Sequence, residues 1–271
     1  MTIAIGMRFD DGVLLATDTE VTQGDIKMSR SKIIERSFGN ADAKCIFAIA
    51  GAVRYAVMAV DEIASKIDAY GISSYQEIRE VIKSELLEMY RTHIWPNPQS
   101  TNGSYTFDLL IAVWTRIDGI HLLVSSEDVI NDISSFECIG IGLTLGKYLL
   151  EPIFRSAKNH SDYSLVARYV IEEVKNTVPY CGKSTDVRIL LTDGSSPTAN
   201  PLNEKQQEEA IKSFWATARQ MMILAADEKL SNEKLIEEFE EFREKVVASR
   251  QFLGWKITTG GQTCEPSQEI K

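Results

Sequence analysis

TIAIGMRFDDGVLLATDTEVTQG, residues 2–24, decides how the rest of the chain is read. Apolar residues alternate or run through 2–9 and again through 13–19, with Asp10, Asp11 and Gly12 between them. Two short strands joined by an Asp-Gly turn form a hairpin. The pattern sets in at Thr2, directly behind Met1, where chain ends are ordinarily ragged. An ordered start of this kind is expected to put the terminus itself to use.

Outward from the hairpin, a further strand pair is expected at 26–36 and 44–50, the latter reading KCIFAIA before Gly51 breaks it. Residues 52–70 and 73–91 carry apolar residues at helical spacing, and Ser73 and Ser74 can cap the second helix. A Pro, Asn and Gly loop at 93–104 has the length of a functional or interface loop. Strands follow at 105–114 and 120–126, a short one near Cys138, helices at 144–156 and 162–176, and a strand at 185–193. Strands, two helices, strands, two helices and a strand suit antiparallel sheets with helices packed outside them, not a parallel βαβ sheet. GIGLTLG (140–146) invites a dinucleotide-binding reading, but its spacing is GxGxxxG and no βαβ unit starts there. A tight strand-to-helix turn explains those glycines.

Residues 2–193 are expected to form one domain and 194–203 a linker. A helical hairpin at 204–252 would carry stripes from Ile211 to Ala225 and from Leu235 to Val246, and 253–271 would be a flexible tail. The hairpin either packs on the domain or makes an oligomer contact.

The bulk numbers bound the function. With 44% apolar residues, 25% charged residues and a net charge of −10, the chain suits a globular protein and not a nucleic-acid binder. Its apolar runs are too short to span a bilayer, and no secretory leader is visible, so a cytoplasmic setting is expected. Cys45, Cys138, Cys181 and Cys264 form no CxxC pair, and His93, His121 and His160 lack zinc-site spacing. Neither a metal nor another cofactor is expected.

Thr2 carries the chemical signal. Removal of Met1 would leave a β-hydroxyl and a free α-amine on one residue. An α-amine has a pKa near ~7.7–8.0, so much of it is neutral base at physiological pH. Nucleophile and general base then coincide.

The stretch DGVLLATDTEVTQGD (11–25) resembles the second strand and following loop of proteasome β subunits and the related bacterial ATP-dependent peptidase. Thr2, Gly6, Asp11, Gly12, Ala16, Asp18, Thr22 and Gly24 fall in step without a gap, and AIAG (48–51) matches the family's strand end. The resemblance covers roughly 2–193. It implies an α+β, N-terminal nucleophile hydrolase fold, a four-layer α-β-β-α sandwich of two antiparallel sheets, here with a C-terminal helical extension. It further implies Thr2 as nucleophile, Asp18 as the catalytic carboxylate, Lys32 as its lysine with Lys27 as rival, and Gly51 as the oxyanion donor. Thr22 and Gly24 would pair with an extended substrate, and Val21, Ile49 and Val53 would wall a specificity pocket for a hydrophobic side chain.

The departures are specific. Ile141 stands where the family commonly has serine, Val178 and Cys181 where it has Asp and Ser, and Glu20 where a basic residue is common. Ser184 or Thr185 are candidate substitutes. The resemblance implies a threonine-type peptidase acting on peptides or unfolded proteins, in a homo-oligomer such as a ring, with an ATPase as candidate partner. A transpeptidase using the same ester and an inactive scaffold subunit are the alternatives.

Overall fold

The computed structural model describes residues 2–23, 26–39, 42–97, 105–197, 201–227 and 230–250. The opening hairpin forms as β1 (Ile3–Phe9) and β2 (Gly12–Asp18), antiparallel with Phe9 opposite Gly12. These lie in a four-stranded sheet flanked by β10 (Phe136–Gly140) on β1 and β11 (Thr185–Leu191) on β2. A five-stranded sheet runs in chain order through β5 (Ile33–Phe38), β6 (Ala43–Gly51), β7 (Phe107–Thr115), β8 (Gly119–Ser126) and β9 (Val129–Asp132). Every strand pair in both sheets is antiparallel.

The expected strand 26–36 is instead two strands in two sheets. β4 (Ile26–Ser29) pairs with β3 (Glu20–Gln23) in a separate ribbon, while Ile33 begins the strand that pairs with β6. Arg30, Ser31 and Lys32 bridge the two, so Lys32 stands at a break in the sheet and not within a ladder. The break is invisible to composition because it holds neither Gly nor Pro.

Helices α1 (Val53–Tyr70) and α2 (Tyr75–Met89) follow β6, and a π-helical turn extends the second over 90–94. Gly71 ends the first in the left-handed conformation at φ 60. Ser74 caps the second: its hydroxyl accepts the Glu77 N–H at 3.3 Å and donates to the Glu77 carboxylate at 3.0 Å. Helices α3 (Leu143–Ile153) and α4 (His160–Thr177) lie between β10 and β11.

Three apolar clusters follow from strand alternation. Cys45, Phe47 and Ile49 of β6 pack with Ile63 and Ile67 of α1 and Ile82 of α2. Ile46, Ala48 and Ala50 point the other way and pack with Ala4, Val13 and Leu15 of the first sheet. Ile3, Ile5 and Leu14 pack with Leu150 of α3 and with Val170 and Val174 of α4. Gly6 belongs to the approach between strands: a Cβ there would lie 3.1 Å from Leu122 and 3.3 Å from Leu110.

Residues 1–199 form one compact unit and 200–271 a second. The second unit holds α5 (Pro201–Ala225), which begins inside the segment read as linker, and α6 (Asn232–Arg250), with Phe214 and Phe242 in ring contact at 6.0 Å. The expected tail, 253–271, lies outside the described residues. No helix among the described residues is long and apolar enough to cross a membrane.

Candidate active site

Asp18 ends β2 with no solvent exposure. Oδ1 of its carboxylate accepts Lys32 Nζ at 2.8 Å and the Ile3 N–H at 3.1 Å. Oδ2 accepts the Gly182 N–H at 3.0 Å and the Glu20 N–H at 3.2 Å. A buried charge is tolerable only when its lone pairs are satisfied in this way. The carboxylate therefore ties four segments together: the residue after Thr2, the break at Lys32, the start of β3 and the loop before β11.

Lys32 is 3% exposed, and its backbone carbonyl accepts the Ile49 N–H at 3.0 Å. Burial pushes its ammonium pKa down, and the charge and hydrogen bond of Asp18 oppose that shift. Lys27, the rival, pairs elsewhere, with Glu20 at 2.9 Å. Glu20 is itself buried, and a Cβ on Gly182 would sit 2.6 Å from its Oε2. A lysine–glutamate pair thus occupies the place where a basic side chain was expected.

Thr2 is 2% exposed, and its carbonyl accepts the Gly142 N–H at 3.3 Å. The glycines of 140–146 receive their explanation here. Gly140 has φ +89 and approaches the Thr2 carbonyl so closely that a Cβ would collide with it. A Cβ on Gly142 would meet Val174 at 2.7 Å and Ile3 at 2.8 Å. The turn admits the start of β1, and no nucleotide is needed to account for it.

Thr2, Lys32 and Gly51 line one cleft of about 790 Å³. Gly51 has φ +95, and a Cβ would lie 2.5 Å from the Thr106 carbonyl oxygen, so only glycine fits. Val21, Thr22 and Val53 line the same cleft. Ile49 is not among its lining residues: its side chain is 1% exposed, in the core beneath α1, and it serves the site through its backbone bond to Lys32. Gly24 lies outside the described residues. Glu20, Met28, Arg30, Arg54, Val57 and Met58 complete the lining. The sequence singles out Glu20 but not the others, although 53, 54, 57 and 58 share one face of α1 by i, i+4 spacing.

The remaining departures are at positions 141, 178 and 181. Cys181 is buried beside Asp18 and Lys32, and burial, reinforced by the Asp18 charge, pushes its thiol up to about 12. It is a neutral thiol at physiological pH. Val178 packs in the cluster between the first sheet and α3 and α4, while Ile141 is 49% exposed. Thr185 Oγ1 accepts Lys175 Nζ at 3.2 Å, and the Ser184 N–H donates to Thr19 Oγ1 at 3.0 Å.

Asp18 and Lys32 thus form a buried pair at the start of β1, and Lys32 and the positive-φ Gly51 line the same cleft as Thr2. The chain belongs to the proteasome subunit family, whose model matches residues 2–190. No curated protein matches the sequence. Among solved structures, Anbu (ancestral beta-subunit) from Yersinia bercovieri is similar at TM-score 0.68 and 14% identity, over 85% of this chain and 99% of that one. Anbu of Pseudomonas aeruginosa, described as a helical assembly, is similar at TM-score 0.68 and 13% identity, over 84% and 98%. Anbu from Hyphomicrobium sp. strain MC1 is similar at TM-score 0.67 and 14% identity, over 84% and 99%. Identities this low carry the fold and nothing finer.

Proposed function

We propose that the chain is an N-terminal threonine hydrolase of the proteasome type, cleaving peptide bonds through an ester on Thr2. One observation carries the reading: Asp18 Oδ1 is shared between the Lys32 ammonium and the N–H of the residue after Thr2. Once Met1 is removed, the Thr2 hydroxyl oxygen attacks the substrate carbonyl carbon, and its proton passes to the α-amine directly or through a water. Lys32, held charged and oriented by Asp18, favours the alkoxide and lowers the amine pKa. The oxyanion is stabilised at Gly51, a contribution typically worth ~2.7–4 kcal/mol. Collapse expels the leaving amine, which takes the proton back, and water then hydrolyses the ester and restores the hydroxyl. An incoming amine in place of water would make the same ester a transpeptidase intermediate.

The four-layer α-β-β-α arrangement belongs to this proposal, and the three apolar clusters support it. So does a peptide or unfolded protein as substrate, pairing with Thr22 and Gly24 as an added strand. Homo-oligomeric assembly is proposed from the family and from the helical assembly described for the Pseudomonas aeruginosa protein; an unfolding ATPase is the partner proposed with it. The second reading, an inactive scaffold subunit, draws on Val178 and Cys181 standing at polar positions of the family. Fluorogenic peptides and an unfolded protein decide between them: turnover by the wild-type chain that is absent in Thr2→Ala supports the enzyme. No turnover by a chain shown by mass to lack Met1 favours the scaffold.

A further inference from the structure

The cleft at Thr2 was expected to be apolar, and its charge balance is different. Of its three lining cations, Lys32 is matched by Asp18 at 2.8 Å, and the lining carboxylate of Glu20 is matched by Lys27 at 2.9 Å. Two remain. Arg30 and Arg54 line the cleft, both side chains are exposed, and among the described residues neither makes an ion pair or a side-chain hydrogen bond. The Arg30 backbone is fixed all the same, its N–H donating to the Thr19 carbonyl at 2.9 Å.

Arg54 stands in the first turn of α1. That turn contains no acidic residue, and Ala52 supplies no side-chain cap. A helix start favours anions, so a cation there works against the local dipole. A local rule broken without a compensating contact in the free chain points to a compensating ligand. The missing group is an anion that faces Arg54, Arg30 and the uncapped end of α1 together.

Resting on the hydrolase reading and sharpening its substrate class, we infer that this cleft selects peptides with an acidic side chain on the residue that supplies the acyl carbonyl. The carboxylate meets the guanidinium groups of Arg30 and Arg54, while Val21, Val53 and Val57 pack against its methylenes. Guanidinium groups bind carboxylates through directed, charge-assisted hydrogen bonds, so an isosteric amide is the sharpest control.

The test uses acetylated, amide-capped fluorescent peptides that differ only in Glu, Gln, Leu or Lys at that position. A further peptide carries Gln there with a free C-terminal carboxylate. Binding is read by anisotropy on the full chain and on Thr2→Ala, so the outcome does not depend on turnover. The Glu peptide is expected to bind about tenfold tighter than the Gln peptide, as one charge-assisted hydrogen bond supplies. The advantage shrinks with added salt, falls in Arg30→Ala and in Arg54→Ala, and turns toward Lys in Arg54→Glu. Equal binding of Glu and Gln peptides, a preference for Leu, or a gain given only by the free C-terminal carboxylate overturns the inference. Hydrolysis of the same peptides is scored separately: a Glu preference in binding without turnover removes the hydrolase reading and leaves the carboxylate site. Turnover without a Glu preference does the reverse.

Discussion

The two sides of Thr2 are built on different physics. On the β2 side, Asp18 is fully buried with all its acceptor capacity engaged, and Lys32, Ile3, Glu20 and Gly182 all donate to it. At three positions where the family commonly has polar residues, the side chains are Ile141, Val178 and a neutral Cys181, and the Gly142 N–H donates to the Thr2 carbonyl at 3.3 Å. The first side is a charged network that collapses if one member is lost, because an uncompensated buried charge is left behind. The second is packing, which tolerates substitution. Under the proposed function, the difference assigns the chemistry to the residue's own amine and hydroxyl together with Lys32.

The largest expected effect breaks the comparison at its centre. Thr2→Ala should lower peptide turnover by at least ~10³-fold, since it removes nucleophile and leaves only binding and oxyanion stabilisation; steady-state rates with unchanged thermal stability check it. Next, Asp18→Ala should cost about 3–5 kcal/mol of folding stability by stranding the Lys32 ammonium, measured by denaturant unfolding. Cys181→Ser on the opposite side should stay within about 1 kcal/mol. Equal losses at the two positions would erase the distinction drawn here. Gly51→Ala should cost roughly 1–3 kcal/mol through its positive φ and its contact with Thr106, together with a loss of rate.

The smallest effect concerns pH. Lys32 has a lowered folded pKa because burial disfavours its charge. The ammonium is therefore lost on raising pH at a point below the ordinary lysine range, and kcat/KM should fall on an alkaline limb that starts there. For stability the sign is opposite: the folded state gains as pH rises toward the unfolded value of 10.5 and loses as pH falls through the lowered one. A pH–rate profile beside a pH–stability curve reads both, and Lys32→Met should abolish the stability component.

How much of this was legible depends on distance along the chain. The β1–β2 hairpin, the Ser74 cap and the placement of Asp18 follow from local alternation, an Asp-Gly turn and capping chemistry, each complete within a few residues. The identity of the lysine was not local. Only the break at Arg30–Lys32, which holds neither Gly nor Pro and is marked by Ser31 alone, decides that Lys32 meets Asp18 while Lys27 meets Glu20. Strand parity would have placed Ile49 correctly: it shares a face with Cys45 and Phe47 in the core beneath α1, opposite to Ala48 and Ala50. The charged part of the cleft was hidden because Arg30 and Arg54 come from segments more than twenty residues apart that meet only in the fold. The short strand β9 went unread because Val129–Asp132 pairs only through its position beside β8.

The central claim is that Thr2 presents its amine and its hydroxyl together, next to a charged lysine. An α′,β′-epoxyketone peptide captures that combination, closing a ring through both the hydroxyl oxygen and the amine nitrogen of one residue. Intact mass of the treated chain, followed by mapping of the adduct, measures it in one experiment. The account predicts a chain lacking Met1 with one adduct on Thr2 that disappears in Thr2→Ala. A chain that keeps Met1, or one that loses it and takes up no adduct, contradicts it.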